Sequence, residues 1–205
     1  MSRTADGGGR PRGRTAASAV ILAGGGSRRM GQDKALLPVG GRPLIARTVE
    51  QLAERFDDIL ISAGPSDRGL RFPGVTVVPD DAPGLGPLMG LASALPRARH
   101  ALAFVVACDI PDIDLAFVAR LIARARGHDA ALPERDGGLV EPLFAVYRTS
   151  VAGAARKILD AGGRSVLDLL ERIDAVRVPV PPGVRIGNVN TRSDYRELLR
   201  GFRRL

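Results

Sequence analysis

The run Ala19-Val20-Ile21-Leu22-Ala23 is apolar at every position and stops on three consecutive glycines, Gly24-Gly25-Gly26. A strand with one face in water alternates apolar and polar side chains, so an unbroken apolar run predicts a strand covered on both faces, as in a parallel sheet. The pattern recurs along the chain. Asp58-Ile59-Leu60-Ile61-Ser62-Ala63, Val75-Thr76-Val77-Val78 and Leu102-Ala103-Phe104-Val105-Val106-Ala107 predict further strands. Between them, Leu44, Ile45, Thr48, Val49, Leu52 and Phe56 return to one helical face behind Pro43, which suits a first helical position. A second helix is expected from about Leu88 to Leu95, and Leu115, Val118, Ile122 and Ala125 mark a third. Residues 143–147 predict a strand, 151–159 and 166–171 helices, and 176–178 a strand. Pro179, Pro181, Pro182 and Gly183 then force an irregular link before a closing helix from about Ser193. Strands alternating with helices require crossover connections, and hence a three-layer α/β fold around a mostly parallel central sheet.

A chain of 205 residues holds one sizeable core. Residues 1–17, rich in Gly, Arg and Thr without periodicity, are expected to form a basic disordered tail, and 18–205 a single domain. The formal net charge of +8 sits mostly at the ends: residues 1–17 and 192–205 each carry +3, which leaves the middle near +2. No aromatic-interleaved basic face accompanies the ends, so no nucleic-acid partner is expected. Cys108 is the only cysteine, which excludes a disulfide framework and a thiolate zinc site. No stretch approaches the ~20 apolar residues of a membrane span, and a cytoplasmic location is expected.

The glycines after the first strand fit neither common phosphate fingerprint. A dinucleotide-binding pattern starting at Gly24 needs glycine where Arg29 stands, and a P-loop ending at Gly31 needs Lys and Ser or Thr where Gln32 and Asp33 follow. Unobstructed backbone N–H groups still suit phosphate oxygens, and Arg28, Arg29 and Lys34 add cations to the same segment. A tight turn with solvated arginines is the alternative; three cations at a strand's carboxyl end favour phosphate. Asp109 closes another apolar strand, where ligands bind in open α/β sheets. A lone carboxylate there suits Mg²⁺ shared with substrate phosphates, or else caps the turn into Ile110-Pro111. Asp112 and Asp114 suit capping of the next helix. Residues 80–88 make a third strand-to-helix crossing with glycines that admit a ligand or merely turn the chain. Asn190 or Thr191 suits a helix cap. His100 and His128 form no metal cluster or triad with Cys108 or a serine.

Together these residues resemble a family. Leu22-Ala23-Gly24-Gly25, Arg28-Arg29-Met30-Gly31 and Asp33-Lys34-Ala35-Leu36-Leu37 look like the signature of nucleotidyltransferases with a Rossmann-like fold. Within that group, Gly86-Pro87-Leu88-Met89-Gly90, Cys108-Asp109-Ile110-Pro111, Glu141-Pro142-Leu143-Phe144 and Asn188-Val189-Asn190-Thr191 are similar to the molybdenum cofactor guanylyltransferases, from about Val20 to Leu199. Ser62 stands where some members carry Asn, and Met89 where a small residue is common. The resemblance implies Mg²⁺-dependent transfer of GMP from GTP to the molybdopterin cofactor, with pyrophosphate released. It implies GTP contacts at Leu22, Ala23, Gly24, Gly25, Lys34, Ser62, Asp80 and Asp109, catalytic roles for Lys34, Asp109 and Arg29, and the metal at Asp109. Arg164, Asn188 and Asn190 fall to the acceptor, and a molybdenum-insertion protein and acceptor molybdoenzymes are the implied partners. A related enzyme using CTP or another phosphorylated acceptor, or a non-catalytic nucleotide-binding partner of molybdoenzymes, is the rival; the presence of both Lys34 and Asp109 argues against an idle protein.

Overall fold

The computed structural model describes residues 14–24, 33–64 and 69–202. In chain order it contains β1 (Ser18–Leu22), β2 (Pro38–Val39), β3 (Arg42–Pro43), α1 (Leu44–Ala53), β4 (Ile59–Ser62), β5 (Val75–Val78), α2 (Pro87–Ala94), β6 (Leu102–Ala107), α3 (Leu115–Arg124), β7 (Ala130–Glu134), β8 (Phe144–Arg148), α4 (Ala152–Asp160), α5 (Val166–Leu170), β9 (Ala175–Pro179) and α6 (Arg192–Phe202). Among these residues one seven-stranded sheet has the order β5-β4-β1-β6-β8-β7-β9. The strands run parallel except β8, which opposes both β6 and β7.

Alternation along each strand divides the core into two layers. Ala19 and Ile21 of β1, with Phe104 and Val106 of β6, pack with α1 and α3. Val20, Leu22, Ala103 and Val105 face the other way, among residues of α2, α4 and α5. Both faces of the central strands are therefore buried, which explains their unbroken apolar sequence. On the α1/α3 side, Phe104 meets Phe144 edge-on with ring centroids 5.0 Å apart, and Phe56 and Phe117 extend the aromatic row.

Several expectations shift in detail. Pro43 ends β3 and is the N-cap of α1, which begins at Leu44. Pro38–Val39 and Arg42–Pro43 form a two-stranded hairpin that the prolines hide from sequence patterning. β7 was likewise unexpected because it contains Pro133; its ladder to β8 covers only Ala130 and Ala131, so the missing N–H of Pro133 costs no bond there. Thr15 donates its N–H to the Arg55 carbonyl and Ala17 is fully buried, so the chain is packed two residues or more before position 18. The remainder of the expected tail, residues 1–13, lies outside the described residues. Among the described residues no helix is long and apolar enough to cross a membrane.

Candidate functional site

Strand order reverses at β1: the chain goes next to β4 on one side and later crosses to β6 on the other. The carboxyl ends of these strands frame the crevice in which open α/β sheets bind ligands. Ser62 and Ala107 both lie beside Leu22 in register, so the ends of β4 and β6 stand about 10 Å apart across β1. Each end carries a polar cluster.

The β6 cluster is built on Lys34. Asp33 caps a single 3₁₀ turn, Lys34–Leu36, by accepting the Ala35 N–H at 3.1 Å, which fixes the root of the lysine. The Lys34 Nζ donates to Asp109 Oδ2 at 3.0 Å and to Asn190 Oδ1 at 2.8 Å. The lysine and aspartate side chains are 18% and 15% exposed, so their ion pair is shielded from bulk water without being sealed from a ligand. Backbone bonds lock this geometry: Cys108 donates to the Leu22 carbonyl at 3.0 Å, and Val189 to the Asp109 carbonyl at 2.8 Å. The turn into Ile110 is closed by the Ile110 N–H on the Ala107 carbonyl at 3.1 Å, while the Asp109 carbonyl holds Val189 and its side chain faces Lys34.

The β4 cluster is built on Asp80. Ser62 Oγ donates to Asp80 Oδ1 at 2.8 Å, and the Asp80 N–H donates to the Gly64 carbonyl at 2.7 Å. The carboxylate faces the glycine segment: a Cβ on Gly24 would lie 3.2 Å from Asp80 Oδ2. The following residue anchors the loop. The Asp81 N–H donates to Ser93 Oγ at 3.0 Å, and the Asp81 carboxylate pairs with Arg97 and Arg156 from two different segments.

A third group was missed as a functional one. Thr191 caps α6, as expected, by accepting the Asp194 N–H at 3.1 Å, but Asp194 reciprocates, and its Oδ2 accepts the N–H groups of both Thr191 and Asn190 at 2.8 Å. These two amide donors hold the Asp194 carboxyl below the usual carboxylate range. The Tyr195 hydroxyl donates to the Pro38 carbonyl, tying α6 to the hairpin that follows Lys34. The spacing Thr-x-x-Asp is a capping-box signal visible in the sequence.

Gly25 and Arg29 lie outside the described residues. Asn188 and Arg164 are exposed, and among the described residues neither joins Lys34, Asp109 or Asp80 by a hydrogen bond. Asp114 caps α3 through the Phe117 N–H, whereas Asp112 pairs with Arg47. His100 and His128 bond to Asp57 and Asp174, away from the crevice.

The arrangement suits an anionic ligand. An ammonium has three N–H donors, and two of those on Lys34 are committed to Asp109 and Asn190, which leaves one to meet a phosphate oxygen. Among the described residues no three His, Cys, Asp or Glu side chains converge into a metal cage. A single strand-end carboxylate beside a cation is a donor set that suits Mg²⁺ drawing its remaining oxygens from a phosphate ligand.

Residues 19–176 match the model of the MobA-like NTP transferase domain. The chain is 43% identical over 185 residues to a probable molybdenum cofactor guanylyltransferase from Pelotomaculum thermopropionicum, covering 87% of this chain and 89% of that one. Its fold matches the crystal structure of molybdopterin-guanine dinucleotide biosynthesis protein A from Archaeoglobus fulgidus with a TM-score of 0.78 at 24% identity, over 92% of this chain and 100% of the other. A protein from Mycobacterium tuberculosis, crystallised in complex with manganese, matches with a TM-score of 0.69 at 23% identity, over 91% and 99% of the two chains.

Proposed function

The chain belongs to the MobA-like NTP transferase family, and from that premise we propose that it transfers GMP from GTP to the terminal phosphate of the molybdopterin cofactor. The observation that carries the proposal is the contact of Lys34 with both Asp109 and Asn190, which joins the nucleotide segment, the metal-side carboxylate and the acceptor-side motif in one cluster.

A phosphate oxygen of the pterin attacks the α-phosphorus of GTP, a new P–O bond forms, and the bond to the bridging oxygen breaks with its electrons leaving on pyrophosphate. The nucleophile is already an anion, so no side-chain base is needed and catalysis is positioning with charge neutralisation. Lys34 binds phosphate oxygens through its remaining N–H, supported by Arg29 and by the amides of Gly24 and Gly25, while Leu22 and Ala23 contact the nucleotide at the end of β1, the Ala23 N–H being donated to the Ser62 carbonyl. Asp80, just past the end of β5 and held by Ser62 of β4, faces the nucleotide. Asp109 would hold Mg²⁺, which when bound supplies charge neutralisation on the triphosphate. Asn188, Asn190 and Arg164 serve the acceptor. A molybdenum-insertion protein and molybdoenzymes that receive the product are the implied partners, in the cytoplasm, and residues 18–205 act as one catalytic domain.

The test offers each of the four ribonucleoside triphosphates with Mg²⁺ and the pterin cofactor and measures pyrophosphate. Release with GTP alone is expected; release with CTP in its place overturns the base assignment, and release with none points to a binding protein. Asp109→Asn should lower turnover ~100-fold or more with the thermal midpoint little changed, the scale seen when one preorganised electrostatic group is lost. A near-normal rate would remove Asp109 from the metal.

A further inference from the structure

Asn190 is exposed, and an exposed amide holds a lysine only if the backbone that carries it is fixed. Two anchors do this. On one side, buried Val189 donates its N–H to the Asp109 carbonyl. On the other, the Asn190 N–H donates to Asp194 Oδ2, the same oxygen that accepts from Thr191. α6 is itself tied back by Tyr195 to Pro38, four residues beyond Lys34.

We propose that Asp194 is a positioning residue for Lys34, acting through Asn190: its carboxylate sets the Asn190 backbone so that the amide oxygen meets the ammonium. The first turn of α6 thereby takes part in aiming the phosphate-binding cation, although Asp194 touches no substrate. As a statement about catalysis this rests on the transfer reaction proposed above; as a statement about Lys34 it stands on the hydrogen bonds alone.

The sequence makes a direct test possible, because Lys34 and Lys157 are its only lysines and Lys157 is exposed on α4. The full chain is acylated with dilute acetic anhydride, and the ratio of Lys34 to Lys157 modification is read by peptide mass spectrometry. Asp194→Ala and Asn190→Ala should each raise that ratio about threefold or more, and the double variant should rise no further, since both changes break one linkage. Asp194→Asn keeps an acceptor for the two amides and should stay within about twofold of the unmodified sequence. Should Asp194→Ala fail to fold, Asp194→Ser, whose hydroxyl is too short to serve both amides, takes its place. An unchanged Lys34 ratio in a folded Asp194 variant with a lowered thermal midpoint would reduce Asp194 to a helix cap and overturn the proposal.

Kinetics give the second readout. Asp194→Ala should raise the KM for GTP about tenfold in the native background and less than about twofold when Asn190 is already alanine. Additive losses in the double variant would overturn the linkage. If the native chain releases no pyrophosphate from GTP, the transfer reaction fails while the acylation ratio still decides whether Asp194 positions Lys34.

Discussion

A Cβ placed on Gly24 would stand 2.8 Å from both the Cα and the N of Gly64, and 3.2 Å from the Asp80 carboxylate. Both near atoms are backbone, and that backbone is pinned where the Gly64 carbonyl accepts the Asp80 N–H, so the clash cannot be relieved by turning a side chain. The requirement for glycine here is one of space between two strand ends. Gly24→Ala should therefore cost about 1–3 kcal/mol, the range for overpacking, and should weaken GTP binding as Asp80 is pushed from the glycine segment. Urea unfolding and nucleotide titration measure the two effects; native stability would show that the β1 and β4 ends do not meet as described. The residue scale also explains why Lys34, Asp109 and Asn190 could each be singled out in the sequence while the contact among them could not. Lys34 announces itself by its place in a cationic, glycine-rich segment, whereas Asn190 lies 156 positions away and only the sheet brings the two together.

At the scale of the element, α2 shows how packing reaches the site. Gly90 lies in the middle of this helix, where alanine in place of glycine ordinarily stabilises by ~1 kcal/mol. Here the added Cβ would fall 2.7 Å from Ser62 Oγ and 2.9 Å from Leu22 Cδ2, so α2 approaches β1 and β4 closely because position 90 has no side chain. Gly90→Ala should force Ser62 to turn away and give up its bond to Asp80, an overpacking cost of about 1–3 kcal/mol that, with the lost bond, outweighs the helix gain and raises the KM for GTP. Equilibrium unfolding with steady-state kinetics checks both; a gain in stability would mean the helix has room. The elements that could be read from the chain are those whose burial decides their sequence: β1, β4 and β6 are apolar throughout, and α1 and α3 carry one apolar stripe. β7 and the β2–β3 hairpin escaped because each contains proline and its pairing is supplied by distant or very short partners. The reversed direction of β8 had no local signal, since a strand buried on both faces reads alike in either direction.

Across the whole molecule, the two ends of the sheet do different work. The carboxyl ends hold Lys34, Asp109 and Asp80, while the amino ends carry a staple in which buried Asp58 accepts from Ser18 and from the Arg99 N–H, and Asp57 pairs with the His100 ring at 2.8 Å. The His100 hydrogen bond holds the Asp57 carboxyl below its ordinary 3.8, as the Thr191 and Asn190 amides do for Asp194 at the other end. A carboxyl whose folded pKa lies below its unfolded value binds its proton more readily in the unfolded chain, so each contributes stability that is fully present above about pH 4 and is lost as pH falls through the folded value. Both effects thus act in the same acid window, yet the groups share no partner and flank opposite ends of the sheet. Asp57→Asn and Asp194→Asn should each flatten the fall in stability as pH drops below about 4, and the double variant should flatten it by the sum of the two, as separate sites do. Urea midpoints collected across that range decide the matter: an unchanged slope in Asp57→Asn would mean that His100 gives no anchorage at the amino end, and a double variant short of the sum would couple the acid responses of the two ends.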